Sequence, residues 1–302
     1  MPDLLLDALP VIDLLEITAN TRAVAELTQR DQSSVSRIYR QASARLGLAF
    51  GKDNRGEYRA TANGELLRDL RRSSQKLRLQ QLPALRWVGC AWTPALEPSA
   101  DRDGEALPAA LDHRWHGERR TRDLLREHVL DLAVMPGADL LPEVEQPTEP
   151  ERPVPLCCGQ LVALPLVRHP LAIVIPQDHP LRERRTLRPE ELPAWRVRPL
   201  DAGNAPWRQR RLEALGLRPA ESPETPGEQT LTLMPALALA LDSAQARGGR
   251  APLPVLSGLS EIDVIVCRSE LWREPGLLRL VEAVVRAYRR TFADRRDLEW
   301  LH

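Results

Sequence analysis

The chain has 302 residues, and its 42 Lys and Arg balance its 42 Asp and Glu. This length predicts two domains with a buried core, and 43% hydrophobic with 28% charged residues excludes wholesale disorder. The apolar runs are too short to span a bilayer, and the acidic N-terminus does not resemble a secretory signal, so we expect a cytoplasmic protein with no membrane partner. Four cysteines without a CxxC pair exclude a disulfide scaffold.

The balanced total charge conceals a basic segment near the N-terminus. Residues 20–86 contain fourteen Lys and Arg but six Asp and Glu, whereas residues 87–302 carry four more acids than bases. A basic module joined to a mildly acidic larger part is typical of a nucleic-acid-binding end attached to a sensing or catalytic end. The alternative is an ordinary scatter of charge.

Two short helices are predicted at the start of the chain. Leu4–Thr18 places apolar residues at helical spacing, with Ala8 among them. A second helix follows over Arg22–Thr28, with Asn20 or Thr21 as its N-cap. Its inner positions are predicted to be Ala23, Val24 and Leu27.

A third helix, which begins at Gln32 and ends at Gly47, follows a polar turn. Its outward face has small hydroxyl side chains at the start and arginines one turn later. This pattern suits the recognition helix of a helix-turn-helix, because small side chains let the helix N-terminus approach DNA and Arg forms bidentate contacts with guanine. A solvated helix face is the alternative. The candidate DNA contacts are Gln32, Ser33, Ser34, Ser36, Arg37 and Arg40.

A hairpin and a long helix are predicted next. Phe50–Arg59 is interpreted as strand, turn and strand, with Lys52, Arg55 and Arg59 placed to contact flanking phosphates, or simply as a solvated turn. Thr61 is predicted to cap a helix that ends at about residue 82, with leucines at the three-and-four spacing of a helix that pairs two chains.

Five short motifs, in order, resemble the LysR-type transcriptional regulators. The resemblance implies a winged helix-turn-helix over residues 1–60 and a dimerising linker helix over residues 61–84. Two departures are an extra residue in the turn before the third helix and Ile38 where the family usually has Gln. The motifs are Thr21–Leu27, Gln32–Arg37, Leu46–Gly47, Arg55–Gly56 and Thr61–Gly64.

Short buried strands alternate with helices in the remaining two hundred residues, which predicts an open α/β sheet. Their order resembles the effector region of the same family, a two-lobed, periplasmic-binding-protein-like (type 2) α/β domain over residues 85–302. Lobe I would comprise about 85–160 and 268–302, and lobe II about 161–267. The predicted strands are 87–92, 130–136, 159–167, 170–176 and 261–267, and the predicted helices are 121–129, 207–215, 232–245 and 274–292.

The resemblance implies a small-molecule effector bound between the lobes, where helix N-termini and strand ends meet. By position, Thr93, Thr121 and Asn204 are the candidate effector contacts, although a Thr at a strand end is commonly just a cap. An effector would favour one arrangement of the subunits and so change DNA bending or contact with RNA polymerase.

Catalytic and metal signals are weak. His113 and His116 have a spacing compatible with zinc but no nearby third ligand, and the adjacent Cys157 and Cys158 have no flanking base to lower a thiol pKa. The chain has no P-loop, GxGxxG or GxSxG motif. We therefore expect no enzymatic activity, no metal and no cofactor.

The sequence thus predicts a regulator that binds double-stranded operator DNA as a homodimer or homotetramer. Three alternatives remain: a DNA-binding regulator whose cleft is degenerate and ligand-free, a solute-binding module without DNA binding, and a two-lobed enzyme. The altered stretch Met234–Leu241 favours the first of them. Effector, operator, target genes and the choice between activation and repression stay open.

Overall fold

The computed structural model describes residues 7–52, 58–96, 106–111, 118–137, 153–156, 159–175, 196–199, 213, 218–219, 230–240, 251–253 and 260–302. The chain divides into two compact units. Unit 1 comprises residues 1–88, 98–133 and 271–280, and unit 2 comprises residues 89–97, 134–270 and 281–302. Among the described residues, no helix has the length and apolarity that a membrane crossing requires.

Three helices open unit 1: α1 (Leu9–Thr18), α2 (Thr21–Thr28) and α3 (Gln32–Leu46). Asn20 caps α2, because its Oδ1 accepts hydrogen bonds from two backbone amides of the first turn, one at 2.9 Å. Gly47 ends α3 with a left-handed φ of 62°, a conformation that glycine adopts without strain. The predicted helix order, cap and stop are confirmed.

The core of these three helices corrects one prediction. Ile12, Val24 and Val35 are completely buried, but Leu27, predicted to point inward, is 41% exposed. Ala25 is buried in its place. Because α2 packs on α1 and α3 through Val24 and Ala25, Leu27 is left on the outer side of this short helix.

A hairpin follows, in which β1 (Phe50–Lys52) pairs antiparallel with β2 (Tyr58–Ala60). The next helix, α4, runs over Gly64–Leu79. The prediction that Thr61 caps α4 is wrong, since its hydroxyl donates to a backbone carbonyl before β1 at 3.1 Å. Asn63 stands at the helix start instead and has a left-handed φ of 53°.

The buried face of α4 is largely polar, which periodicity did not predict. Leu67 is buried, and Arg71, Gln75 and Arg78 are buried with it, while Leu77 is 42% exposed. Acidic groups elsewhere in unit 1 face these side chains, so the arginines find their partners inward and the leucine is displaced outward.

The rest of unit 1 begins with a 3-10 turn at Leu82–Ala84 and strand β3 (Trp87–Val88). Helix α5 (Glu118–Arg126) leads into strand β4 (Leu132–Pro136), whose first two residues pair with β3 in parallel. Both strands are shorter than predicted, because a buried apolar run does not mark where backbone pairing ends, and α5 has the predicted length but begins and ends three residues earlier.

Unit 2 is organised around strand β6 (Leu161–Ile175), which pairs antiparallel with β9 (Thr230–Pro235) and β11 (Ser260–Arg268). Strands β7 (Arg196–Pro199) and β8 (Arg218–Pro219) extend the sheet beyond β9 in parallel. Three short strands also pair with β6: β5 (Val154–Pro155), β10 (Ala251–Leu253) and β12 (Glu299–Trp300). The remaining helices are α6 (Ala236–Ala240) and α7 (Pro275–Thr291), and the residues of α7 are divided between the two units.

Two predictions are wrong in unit 2. The strands expected at 159–167 and 170–176 form the single strand β6, and the register with β11 shifts between Asp263 and Val264, where Leu166 of β6 is the extra residue next to Pro165. The helix expected over 232–245 begins as strand β9, because this segment pairs with both β6 and β7, and α6 starts only at Ala236. The helix expected at 207–215 lies outside the described residues except Glu213.

Candidate nucleic-acid interface

The start of α3 is capped by Asp31, a residue that the motif analysis overlooked. Its Oδ1 accepts from the Ser34 amide at 2.7 Å and from the Ser33 hydroxyl at 2.5 Å, and its Oδ2 accepts from the Ser34 hydroxyl at 2.7 Å. These hydrogen bonds lower the pKa of Asp31 below its ordinary value, and the bond from Ser33 has the largest effect. An Asp directly before a helix is a preferred N-cap, so the signal was present in the sequence.

The cap changes what this helix end presents. The Ser33 and Ser34 hydroxyl protons point to Asp31, so both oxygens remain able to accept hydrogen bonds from a base or an amide. The carboxylate also compensates the positive end of the α3 dipole. The N-terminus of α3 is therefore a poor site for a phosphate and a better one for donors such as the cytosine amino group.

The other predicted contacts on α3 lie along one side of the helix. Gln32 Nε2 donates to Thr21 Oγ1 at 2.8 Å, which links the starts of α3 and α2. Arg37 donates to the Ser34 hydroxyl at 3.3 Å, and Arg40 donates to the Ser36 carbonyl at 3.2 Å.

Both arginines are exposed. In the described part of the chain neither forms an ion pair, so their charges are available to a phosphate or a base. Ser36 is half-buried between them.

The wing residues differ from one another. Lys52 is exposed at the end of β1, and Arg55 lies outside the described residues. Arg59 on β2 is only 25% exposed, and its guanidinium pairs with Asp123 at 2.6 Å and Glu127 at 3.2 Å. Carboxylates therefore already match the charge of Arg59, and its contact with phosphate stays a prediction.

A buried ion network joins α1 to α4. Asp13 is fully buried and accepts from Arg71 Nε at 2.7 Å and Arg86 Nη1 at 2.5 Å, and Glu16 lies 3.0 Å from Arg71 Nη2. Burial raises the pKa of Asp13, but the guanidinium groups of Arg71 and Arg86 outweigh it, so the pKa lies below its usual value.

A second cluster joins α4 to the segment before β4. Asp131, also fully buried, accepts from Arg78 at 2.9 and 3.0 Å and from Gln75 at 2.9 Å. Gln75 Oε1 lies 2.7 Å from Nδ1 of His128. Charged residues at helical spacing suggest a solvated face, which is why sequence analysis missed both clusters.

The three predicted effector contacts do not all lie in the same unit of the described structure. Thr93 belongs to unit 2, where its hydroxyl accepts from the Cys90 amide at 2.9 Å and lies 3.2 Å from the Tyr288 hydroxyl. Thr121 is buried on α5 in unit 1, and Asn204 lies outside the described residues.

Thr93 lies beside a closed polar cluster centred on Asp263. This fully buried carboxylate accepts from Trp92 Nε1 at 2.9 Å and from Tyr288 at 3.2 Å, and it lies 3.2 Å from His169 Nε2. Burial, and next the Asp263 charge, raise the pKa values of both Cys90 and Tyr288. The raised pKa favours the protonated form of the half-buried Cys90 thiol, which is a weaker nucleophile than the thiolate.

The next feature is the set of candidate metal ligands that the sequence suggested. His113, His116, Cys157 and Cys158 lie outside the described residues. Among the residues that are described, no three His, Cys, Asp or Glu side chains group as metal ligands would.

Comparison with known proteins supports the architecture. No family model and no curated protein sequence matches the chain. A full-length OxyR cysteine-to-aspartate variant from Pseudomonas aeruginosa is similar at 19% identity and a TM-score of 0.52, over 94% of this chain and 97% of that one. An OxyR cysteine mutant from Corynebacterium glutamicum has 20% identity over 97% and 94% of the chains, with a TM-score of 0.49.

CbnR, described as a LysR family transcriptional regulator, has 14% identity over 92% of this chain and 98% of that one, with a TM-score of 0.48. Only the first of these likenesses is close enough to define a fold. It confirms the predicted fold class, in which a winged helix-turn-helix and a long helix precede an α/β domain. This likeness shows the fold alone.

Proposed function

We propose that this protein is a sequence-specific DNA-binding regulator of transcription. One observation carries the proposal: the exposed side of α3 presents Arg37 and Arg40, which have no carboxylate partner in the described part of the chain, beside acceptor oxygens at a capped helix start. This arrangement supplies donors for guanine and acceptors for cytosine within one major groove. Lys52 on the hairpin adds a contact to phosphate.

The regulator acts as a homodimer or homotetramer through α4. Leu66 and Leu77 are 44% and 42% exposed, and Leu70 lies between them. Residues eleven positions apart lie on the same side of an α-helix, so Leu66 and Leu77 form one apolar stripe with Leu70. A second copy of α4 would cover this stripe, and two recognition helices related by a two-fold axis would bind an inverted repeat.

The α/β domain supplies control, with RNA polymerase as a further partner and no enzymatic role. A small-molecule effector remains part of the proposal. A second candidate is a ligand-free regulator, and the closed cluster around Thr93 and Asp263 favours it, since the Thr93 hydroxyl is already engaged by the protein itself. The proposal places the protein in the cytoplasm with the DNA.

The direct test is fluorescence anisotropy of a labelled duplex of mixed sequence, titrated with the protein from about 50 to 200 mM salt. We expect binding at low salt with an affinity that falls steeply as salt rises, because phosphate contacts release counterions. The double variant Arg37→Ala/Arg40→Ala should bind more weakly and with a shallower salt dependence. Absence of binding at low salt would refute the proposal.

A further inference from the structure

The wing arginine of unit 1 is held by two carboxylates from outside the DNA-binding module. Arg59 lies on β2, whereas Asp123 lies on α5 and Glu127 directly follows it. Arg59 Nη2 is 2.6 Å from Asp123 Oδ2, and Nη1 is 3.2 Å from Glu127 Oε1. The Glu127 amide donates to the Asp123 carbonyl at 2.9 Å, so the helical turn continues and sets both carboxylates on one side.

This contact uses the part of the guanidinium that a DNA phosphate would use. The terminal nitrogens of Arg bind carboxylate and phosphate oxygens in the same forked geometry. All three side chains are between 23% and 27% exposed, so the ion pair is partly shielded from solvent. Asp123 and Glu127 each take one N–H of the two terminal nitrogens of Arg59 and match its charge. Their negative charge would repel a phosphate bound to the same guanidinium, so the two partners compete.

Release of Arg59 would leave neither carboxylate uncompensated. Glu127 Oε2 also lies 3.7 Å from Arg71 Nη1 and 3.8 Å from Arg120 Nη1, and Asp123 lies 3.3 Å from Arg126 Nη1. Losing one partner of a buried pair is costly when the other charge is stranded, and these additional cations remove that cost. Arg59 can therefore leave the two carboxylates for a DNA phosphate without leaving their charges unpaired.

We propose that Asp123 and Glu127 form an autoinhibitory contact that mimics DNA phosphate and withholds the wing arginine from the operator. This inference rests on the proposed DNA-binding function. Thr121, a predicted effector contact, lies on the same helix α5, so a ligand that displaces α5 would release Arg59 and raise the affinity for DNA.

The test measures the affinity of the full chain for a labelled mixed-sequence duplex in the wild type, Asp123→Asn, Arg59→Ala and the double variant. We expect Asp123→Asn to bind about threefold more tightly, with a salt dependence steeper by about one phosphate contact. Arg59→Ala alone should change the affinity by less than about twofold. In the Arg59→Ala background, Asp123→Asn should produce no gain.

Asp69→Asn is the matched control, because it removes one exposed carboxylate from α4 and should leave the affinity unchanged. An equal gain in Asp69→Asn, or a gain that persists without Arg59, would show a general charge effect and overturn the inference. Glu127→Gln should reproduce the gain independently. A wild type that binds while neither variant improves refutes the contact alone, whereas a wild type and variants that all fail to bind refute the proposed function as well.

Discussion

Arg37 carries the most specific claim at the scale of single residues. Its guanidinium donates a hydrogen bond to the Ser34 hydroxyl at 3.3 Å. This bond directs the Arg37 side chain along the outer side of α3 toward the start of the helix. A side chain placed this way can reach a base edge, whereas Arg45, near the end of the same helix, lies about 12 Å farther along the axis. The two arginines have the same charge but should differ in what they recognise.

Arg37→Ala should weaken binding to a selected operator by about 1–3 kcal/mol if it contacts guanine. The same variant should lose less on mixed-sequence DNA, where base contacts add nothing. Arg45→Ala is the control and should affect both duplexes alike through charge only. Equal losses on both duplexes for Arg37→Ala would remove it from the base contacts.

His169 gives a second residue-scale prediction. Burial lowers its pKa, but the Asp263 carboxylate raises it more, so the pKa lies above 6.5 in the folded protein. The folded state then keeps a proton that the unfolded state releases. The contribution of His169 to the free energy of unfolding is therefore fully present below pH 6.5 and is lost as pH rises through the folded pKa. Thermal unfolding of the wild type should show this decline, and His169→Gln should flatten it. An identical pH dependence in the variant would contradict the assignment.

At the scale of elements, α4 shows why a polar helix face can be buried. Arg78 donates to both oxygens of Asp131, to the His128 carbonyl at 3.0 Å and to Ser74 at 3.2 Å. Such a network fixes the position of α4, because hydrogen bonds form only at particular distances and angles. Packed leucines would allow the helix to slide or rotate.

Arg78→Ala should destabilise the protein by about 3–5 kcal/mol, since it leaves Asp131 buried with less compensation. Chemical denaturation followed by circular dichroism measures the loss. Lys76→Ala, at an exposed position two residues earlier, should stay within about 0.5 kcal/mol. Comparable losses in the two variants would mean that the network contributes little.

The start of α7 makes a close backbone contact with the end of α4 in unit 1. A Cβ added at Gly276 would lie 2.3 Å from the Leu79 carbonyl oxygen, so the two helices must separate to accept it. Gly276→Ala should therefore destabilise the protein by about 1–3 kcal/mol. Gly64→Ala is the control, because nothing lies within 4 Å of its added Cβ. A neutral Gly276→Ala in thermal unfolding would contradict this packing.

At the scale of the whole molecule, the two units differ in how far the sequence could predict them. The helices of the N-terminal module follow from local rules, as Asn20 and Gly47 mark helix ends by their own chemistry. The buried pairs of Asp13 with Arg71 and of Asp131 with Arg78 join residues more than fifty positions apart. No local pattern encodes such partners, so the polar face of α4 and the engaged state of Arg59 could not be predicted.

Unit 2 illustrates the same limit for strands. The apolar runs around β6 and β11 indicated strands correctly, but the sequence does not show that β6 continues past Pro165 with an extra residue at Leu166 opposite β11. Likewise, the Leu-rich segment after Thr230 has the composition of a helix, and only pairing with β6 and β7 makes it a strand. Tertiary context overrides propensity at both places.

The most direct test of the whole account is selection of genomic DNA fragments by the purified full chain, followed by footprinting of the enriched fragments. The account predicts enrichment of fragments that share an inverted repeat, with two protected half-sites separated by about one or more helical turns. Selection that returns no shared sequence, or protection of a single half-site by a monomer, would contradict the claim that paired recognition helices bind an operator.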